Sequence, residues 1–514
     1  MRSKACFLTA VFGIVAAGVA RGQQTPADAW QQASDALKRQ PGLVRFYSFK
    51  DCETVQPDLA GAAADMKFRP DKNSALTTEV GRVEGRKAVV LDGESFEAPS
   101  LTLASNALTV AVWIRPLAMG AKTGNAGSAN GTVASSGSGY TDGWRLVVGD
   151  WKTRQPSLEL GREKGAFGLR ANDSLSAGFW NHLAATWDGA RVRVYINGML
   201  SAEKAYDGAA TAPKASLRIG FSGYGMGSLR MAADELAVFD RALPPEEIAS
   251  LSLVGVPLTE PLKPLVRRAQ ASAADGGPAA CEAYRAVANA PEAPAAWKVW
   301  AELAAMRFSK ERLDGTGEAC AAIFENPVAP AHLRGQAVER LAQVCRRGGG
   351  DLPSRVLVKL PEFLELDAEG QRMFGLALGT SYAREGNTNG TSGVYEQLLT
   401  AKDAAPLETA EVRQRYAQAL RQAGRWGDAR RQYAAIVGDA KLPSAQRELA
   451  ALAVAQTWRQ ENKLAEAVAA YRDAAAITNQ VPHVAAEAEA CAAECANRLA
   501  GKPAGDPESH RERL

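Results

Sequence analysis

Histidine is scarce in this chain. Four occur in 514 residues, at positions 182, 332, 483 and 510, and no two share a metal-ligating spacing. A GxSxG elbow, a phosphate-cradling GxxxxGK loop and a CxxC pair are absent, which excludes the patterned serine hydrolases, P-loop enzymes and zinc ribbons. The glycine run Gly223–Gly227 (GYGMG) misses the dinucleotide-binding pattern and reads as an ordinary loop. Excess charge is missing too: 60 Lys and Arg against 57 Asp and Glu leave +3, without the field expected of a nucleic-acid or anionic-lipid binder. Beyond the first twenty residues no apolar run is long enough to cross a bilayer.

What is present begins with a targeting layout. Arg2 and Lys4 precede an apolar stretch, Ala5 to Ala20, followed by small residues, so residues 1–22 are expected to be a cleaved signal peptide of an exported protein, periplasmic, held in the cell envelope or secreted. Cys6 lies too early in the apolar stretch for a lipidation site. Of the other cysteines, Cys320 and Cys345 are placed to bridge consecutive helices or to remain separate buried thiols; Cys491 and Cys495, one helical turn apart, lack the further ligands of a zinc site.

A helical leader is expected over 23–40. From Pro41 the pattern changes to short alternating strands between Gly, Asn and Asp turns. In Arg191–Asn197 (RVRVYIN), Val192, Val194 and Ile196 fall on one face and Arg191, Arg193 and Tyr195 on the other, predicting one buried and one wet side. Asp188-Gly189 and Asn197-Gly198 read as two-residue hairpin turns. Many such strands with almost no helix pattern up to Asp240 predict an all-β jelly-roll sandwich over 41–255.

Residues 256–270, with Pro257, Pro261 and Pro264, are expected to be a linker, and 271–500 an all-α solenoid of two-helix repeats, giving a multidomain chain that ends in a disordered tail at 501–514. A 38-residue period is visible. It relates Gly386, Gly424 and Asn462 as helix-ending positions, Gly379, Ala417 and Ala455 as small residues at a close helix approach, and Tyr395, Tyr433 and Tyr471 as packing residues of the second helix. Asn387–Gly393 (NTNGTSG) is a poor helix start.

Two resemblances follow from these residues. The stretch WNHLAATWDGARVRVYINGML (Trp180–Leu200) and the closing DELAVFDRALPPEEI (Asp234–Ile248), with LTVAVWIRP (Leu108–Pro116) before them, resemble a laminin-G-like, concanavalin A-like jelly-roll domain. This implies two curved antiparallel sheets, often used to bind carbohydrate or protein, sometimes through calcium. The helical half resembles tetratricopeptide repeats, departing from them in its period and in the missing early aromatic.

No catalytic set is found. Asp234 and Glu235, adjacent on one strand, are expected to point to opposite faces and so not to flank one glycosidic bond; His182 reads as a packed or edge histidine. The candidate ligand-binding residues are Tyr140, Asp142, Trp144, Trp151 and Tyr224, with core burial favoured for Trp144 by its alternation with Leu146 and Val148. Asp92, Asp142 and Asp150 are the candidates for calcium, the one cofactor considered. Together these features describe an exported, non-enzymatic binding and scaffold protein. Its sandwich would engage a glycan or envelope protein and its repeats a protein partner; the rival is a polysaccharide-processing enzyme or its accessory subunit.

Overall fold

The computed structural model describes residues 25–71, 74–101, 107–119, 131–149, 153–206, 208, 211–221, 227–308, 313–327, 329–346, 352–362, 368–400, 404–477 and 482–501. The chain divides into two compact units, Met1–Lys310 with Asn326–Gln336, and Glu311–Glu325 with Ala337–Leu514.

The first unit opens with helix α1 (Pro26–Lys38), started by a capping box in which the Thr25 hydroxyl accepts from the Asp28 amide and the Asp28 carboxylate accepts from the Thr25 amide. Sixteen strands follow: β1 (Leu43–Tyr47), β2 (Val55–Gln56), β3 (Met66–Arg69), β4 (Thr77–Val80), β5 (Lys87–Leu91), β6 (Ser95–Ala98), β7 (Leu108–Met119), β8 (Gly131–Ser136), β9 (Trp144–Val148), β10 (Pro156–Gly161), β11 (Ala166–Arg170), β12 (Asn181–Trp187), β13 (Arg191–Ile196), β14 (Met199–Ala205), β15 (Leu217–Gly220) and β16 (Gly227–Phe239). Sheet A runs β14-β13-β12-β7-β16, with β1 and β5 both pairing along β16 and β4 outside β5. Sheet B runs β11-β10-β9-β8-β15-β6-β3-β2, and the start of β16 lies parallel to β8 and joins the two. Between the sheets, alternate residues interdigitate: Val192, Val194 and Ile196 meet Leu146, Leu158, Leu160 and Trp144 in one core. The Asn197–Gly198 turn has positive φ at both positions, as a type I′ hairpin requires. The preceding hairpin is shifted by one residue from expectation. Its central pair is Gly189–Ala190, with positive φ at Gly189, and the Asp188 carboxylate accepts from the amides of Ala190 and Arg191.

The wet side expected of sheet A is wet only in part: Arg191 is exposed, but Tyr195 is not. Tyr195 is fully buried in a second cluster with Phe46, Phe239, Leu200 and Ile248 on the outer face of that sheet. Helices cover it: α1, α2 (Pro245–Ser252), α3 (Leu262–Asp275), α4 (Gly277–Ala288), α5 (Ala295–Ala305) and the first residues of α7 (Ala331–Arg346), which follows α6 (Leu313–Glu325). They hold the tip of the β13–β14 hairpin. The Gln270 side chain donates to the Gly198 carbonyl and accepts from the Leu200 amide, the Trp300 indole donates to the Asn197 carbonyl, and Arg307 donates to the Leu200 carbonyl. The expected linker, 256–270, is therefore helical from Leu262, and α3 to α5, read as the start of the solenoid, belong to the sandwich unit.

The second unit is helical: α6, most of α7, α8 (Ser354–Leu357), α9 (Ala368–Arg384), α10 (Thr388–Leu399), α11 (Pro406–Gln422), α12 (Trp426–Val437), α13 (Ser444–Gln460), α14 (Leu464–Ala476) and α15 (Pro482–Leu499). From α9 to α14 the hairpins repeat in step with the sequence. Gly386, Gly424 and Asn462 adopt positive φ where each first helix ends, and Tyr395, Tyr433 and Tyr471 are buried. A Cβ on Gly379 would come within 2.7 Å of the Tyr395 ring, so that close approach requires glycine, while Ala417 and Ala455 are fully buried at the equivalent positions. The NTNGTSG stretch does start a helix, because the Asn387 side chain accepts from the Gly390 amide and caps α10. Cys52, Cys281, Cys491 and Cys495 are free thiols, and Cys320 and Cys345 are buried.

Candidate functional site

Across sheet B one cross-strand register line carries Val55, Lys67, Glu97, Arg218, Ser135, Arg145, Glu159 and Gly168. Each charged member sits between two residues of its strand that point into the core, as in Leu217-Arg218-Ile219 and Leu158-Glu159-Leu160, so the pleat turns the charges outward. Glu97 joins Arg218 at 3.0 Å and Arg69 at 3.3 Å, and Glu159 joins Arg145. This line was missed in the sequence, although the apolar–charged–apolar triplets recur on β3, β6, β9, β10 and β15. Its carboxylates are not a catalytic pair. Glu97 and Glu159 are four strand spacings apart, about 19 Å, against the roughly 5 to 9.5 Å that glycosidases use.

At one end of this sheet the β8–β9 loop presents Tyr140, 56% exposed. Gly137, Gly139 and Gly143 all take positive φ there, and the tightness is real: a Cβ on Gly143 would lie 1.8 Å from the Ser136 carbonyl oxygen. Asp142, proposed as a ligand, is instead the buried tie of this loop. One carboxylate oxygen accepts from the Ser138 hydroxyl at 2.6 Å and the other from the Lys214 amide at 2.7 Å. Burial pushes this carboxyl up, but those donors outweigh it and hold it below the usual range. Alongside, the Arg162 amide donates to the Tyr140 carbonyl, so an exposed aromatic and an exposed arginine share one rim. Trp144 is a core residue, packed with Leu146 and Leu158. Trp151, Tyr224 and Asp150 lie outside the described residues.

Of the calcium candidates, the two described ones, Asp92 and Asp142, lie at opposite ends of β15. Asp92 precedes β6 at the Gly220 end of β15, whereas Asp142 follows β8 at the Leu217 end. Among the described residues, no three Asp, Glu, His or Cys side chains converge as metal ligands.

Asp234 and Glu235 depart from expectation. A β-bulge falls between Asp234 and Leu236, with Glu235 at φ +49°, and it brings both carboxylates to the same arginine: Arg82 lies 2.6 Å from Glu235 and 3.9 Å from Asp234. Arg86 adds a contact to Asp234 at 3.4 Å while its guanidinium stacks on Trp30 of α1, whose indole donates to Glu235. His182, Trp113 and Asp234 form one row across β12, β7 and β16, and His332 of α7 packs edge-on against the same indole. Burial, with Arg82 nearby, pushes both His182 and His332 down to about 3. Burial and the neighbouring Glu235 push Asp234 up to about 7 against the pull of Arg82 and Arg86. With Asp234 fully buried and Glu235 held by Trp30 and Arg82, this cluster anchors the helical cover and presents no open carboxylate to a sugar.

The fold and core define a concanavalin A-like jelly-roll sandwich. Residues 92–249 match the family described as the concanavalin A-like lectin/glucanases superfamily, the laminin-G-like type that the strand motifs resemble. No curated protein matches the chain. Among solved structures, it is similar to domain 4 of a GH43 extracellular arabinanase from Geobacillus stearothermophilus in complex with arabinotriose, at 22% identity and a TM-score of 0.34, covering 41% of this chain and 98% of that one. It is also similar to the binding domain of paraclostridial mosquitocidal protein 1, at 16% identity and TM-score 0.32, covering 42% of this chain and 52% of that one. A third similar structure is botulinum neurotoxin type C, described with two ganglioside molecules, at 12% identity and TM-score 0.33, covering 43% of this chain and 53% of that one. The chain thus spans about half the length of the two toxin chains. Among the described residues no helix is long and apolar enough to cross a membrane.

Proposed function

We propose that this is an exported, non-enzymatic binding and scaffold protein whose sandwich engages a glycan or envelope protein and whose tetratricopeptide-like helical repeats dock a protein partner. The observation that carries the reading is the contrast between the two sheets. The outer face of sheet A carries an apolar cluster around Tyr195 and Phe239, while sheet B turns a line of charged and polar side chains to its outer face and ends in the loops that hold Tyr140 and Arg162. An exposed aromatic ring and an exposed arginine on adjoining loops suit a sugar, whose C–H face stacks on the ring while hydroxyls accept from the arginine. Against the rival enzyme, Glu97 and Glu159 are too far apart and Asp234 and Glu235 are enclosed, so neither pair is placed to span one glycosidic bond.

The test is a glycan panel applied to the full-length protein, with and without calcium or a chelator, read both as retention and as new reducing ends. Retention without turnover, weakened in Tyr140→Ala, is the expected result. Turnover that persists through purification would establish the enzyme instead, and retention of no glycan would leave the sandwich to an envelope protein.

A further inference from the structure

Within the second unit, α13, α14 and α15 bring a pair of thiols, a guanidinium and a phenol together. Cys491 and Cys495 stand one turn apart on α15, and side chains at that spacing have Cβ atoms about 5 to 6 Å apart, so a single ion is within reach of both sulfurs. Cys495 is fully buried in one apolar cluster with Ala455, Ala467 and Tyr471. Cys491 is only partly buried and opens the pair to solvent.

Two donors suited to negative sulfur surround the pair. From α13 the Arg459 guanidinium, which also holds Glu494 at 3.1 Å, donates to Cys491 Sγ at 3.6 Å. From α14 the Tyr471 hydroxyl stands next to Arg459 and both thiols, fully buried yet in hydrogen-bonding geometry with none of them. A buried O–H without an acceptor is costly, and a neutral thiol accepts only weakly. Burial pushes both thiols up while the Arg459 charge pulls against it, so at neutral pH the pair is protonated and gives these donors no charge to answer. Glu487 and Glu494 flank Cys491 and favour the approach of a cation.

We propose that Cys491 and Cys495 hold one soft monovalent metal ion, copper(I) or silver(I), as a bis-thiolate. The two thiols lose two protons and gain one cation, with no change of oxidation state. The resulting unit carries one net negative charge, which Arg459 offsets, and the Tyr471 O–H gains the sulfur acceptor it lacks. Zinc would need four ligands and calcium six or more oxygens, and among the described residues no third Asp, Glu, His or Cys converges on the pair. Two thiolates suffice for copper(I), which soft sulfur ligands select. The site lies in the helical repeats and does not depend on glycan binding by the sandwich.

Anaerobic titration of the reduced full-length protein with copper(I) held by bicinchoninate tests this. Copper should pass to the protein with release of about two protons per ion, and the bound ion should protect Cys491 from alkylation by iodoacetamide, read by mass spectrometry. Cys491→Ser and Cys495→Ser should each lose this copper, and Arg459→Met should weaken its binding about 10- to 100-fold, with helical circular dichroism retained. Cys52→Ser, in the other unit, should leave it unchanged. No transfer to the unaltered protein, or copper taken up while Cys491 stays open to alkylation, would overturn the proposal whether or not the variants fold. So would copper that both serine variants retain with undiminished affinity.

Discussion

His332 offers a test of how the helical cover is held, because it is buried neutral against Trp113 with Arg82 close by. A histidine whose folded pKa is depressed to about 3 binds fewer protons than the unfolded chain between that value and its ordinary 6.5, so its contribution is complete above 6.5 and is lost as the pH falls toward 3. At pH 5 the loss relative to pH 8 is about 2 kcal/mol for each of His182 and His332. Asp234 has the opposite sign. Raised to about 7, it favours the folded state increasingly as the pH drops from 7 toward 4, and so offsets part of the histidines' loss on acidification. His332→Gln keeps the size of the side chain and removes one titration. Urea unfolding of the full-length protein at pH 8 and pH 5, followed by near-ultraviolet circular dichroism, reports mainly on this unit, since most of the ten tryptophans precede residue 311. The variant's loss of stability on acidification should be about 2 kcal/mol smaller than that of the unaltered protein, whatever it costs at pH 8. Identical pH dependence in the two proteins would refute a buried neutral His332.

Val194→Asp places a carboxylate in the inter-sheet core and should cost several kcal/mol, enough to abolish the sandwich transition in thermal melts. Arg193→Asp, which loses partly exposed pairs to Asp188 and Glu203, should lower the melting temperature much less; equal losses would reverse the strand's facing. Tyr433→Ala should open a cavity between repeat hairpins and cost the helical unit about 3 kcal/mol, read by helical circular dichroism in urea; an unchanged midpoint would mean the ring is not packed. A fragment ending at Gly255 should bind a hydrophobic dye and aggregate because Tyr195, Leu200 and Ile248 lose their cover, while one extended to Arg346 should not. Equal solubility of the two fragments would show that the helices are dispensable to sheet A.

The sandwich was legible because its strands alternate strictly. Val192, Val194 and Ile196, and likewise Trp144, Leu146 and Val148, lie inside as their period demands. The repeat was legible because Gly386, Gly424 and Asn462 mark helix ends that need positive φ. Where the sequence misled, proline and context were responsible. Pro261 and Pro264 read as linker residues, yet a helix tolerates proline in and just before its first turn, and they stand at the start of α3. That α3 to α5 serve the sandwich was hidden because a helix's apolar face does not announce its partner, and Tyr195 among arginines gave no sign of a covering helix. The meeting of Asp234 and Glu235 on Arg82 depends on a bulge at a non-glycine residue with positive φ, which alternation does not foresee. Tyr140 was singled out through its flanking glycines and is exposed, whereas Asp142 was taken for a ligand because its bonds to the nearby Ser138 hydroxyl and to the distant Lys214 amide are set by the folded loop.

Hydrogen–deuterium exchange of the full-length protein, with and without a glycan that the panel retains, tests most directly whether the sandwich binds at the rim of sheet B. Added protection should concentrate in residues 137–143 and 161–165, the loops that carry Tyr140 and Arg162, with the helical repeats unchanged. Protection confined to the helical repeats, or to α2 and α3, would contradict a glycan site on the sandwich rim.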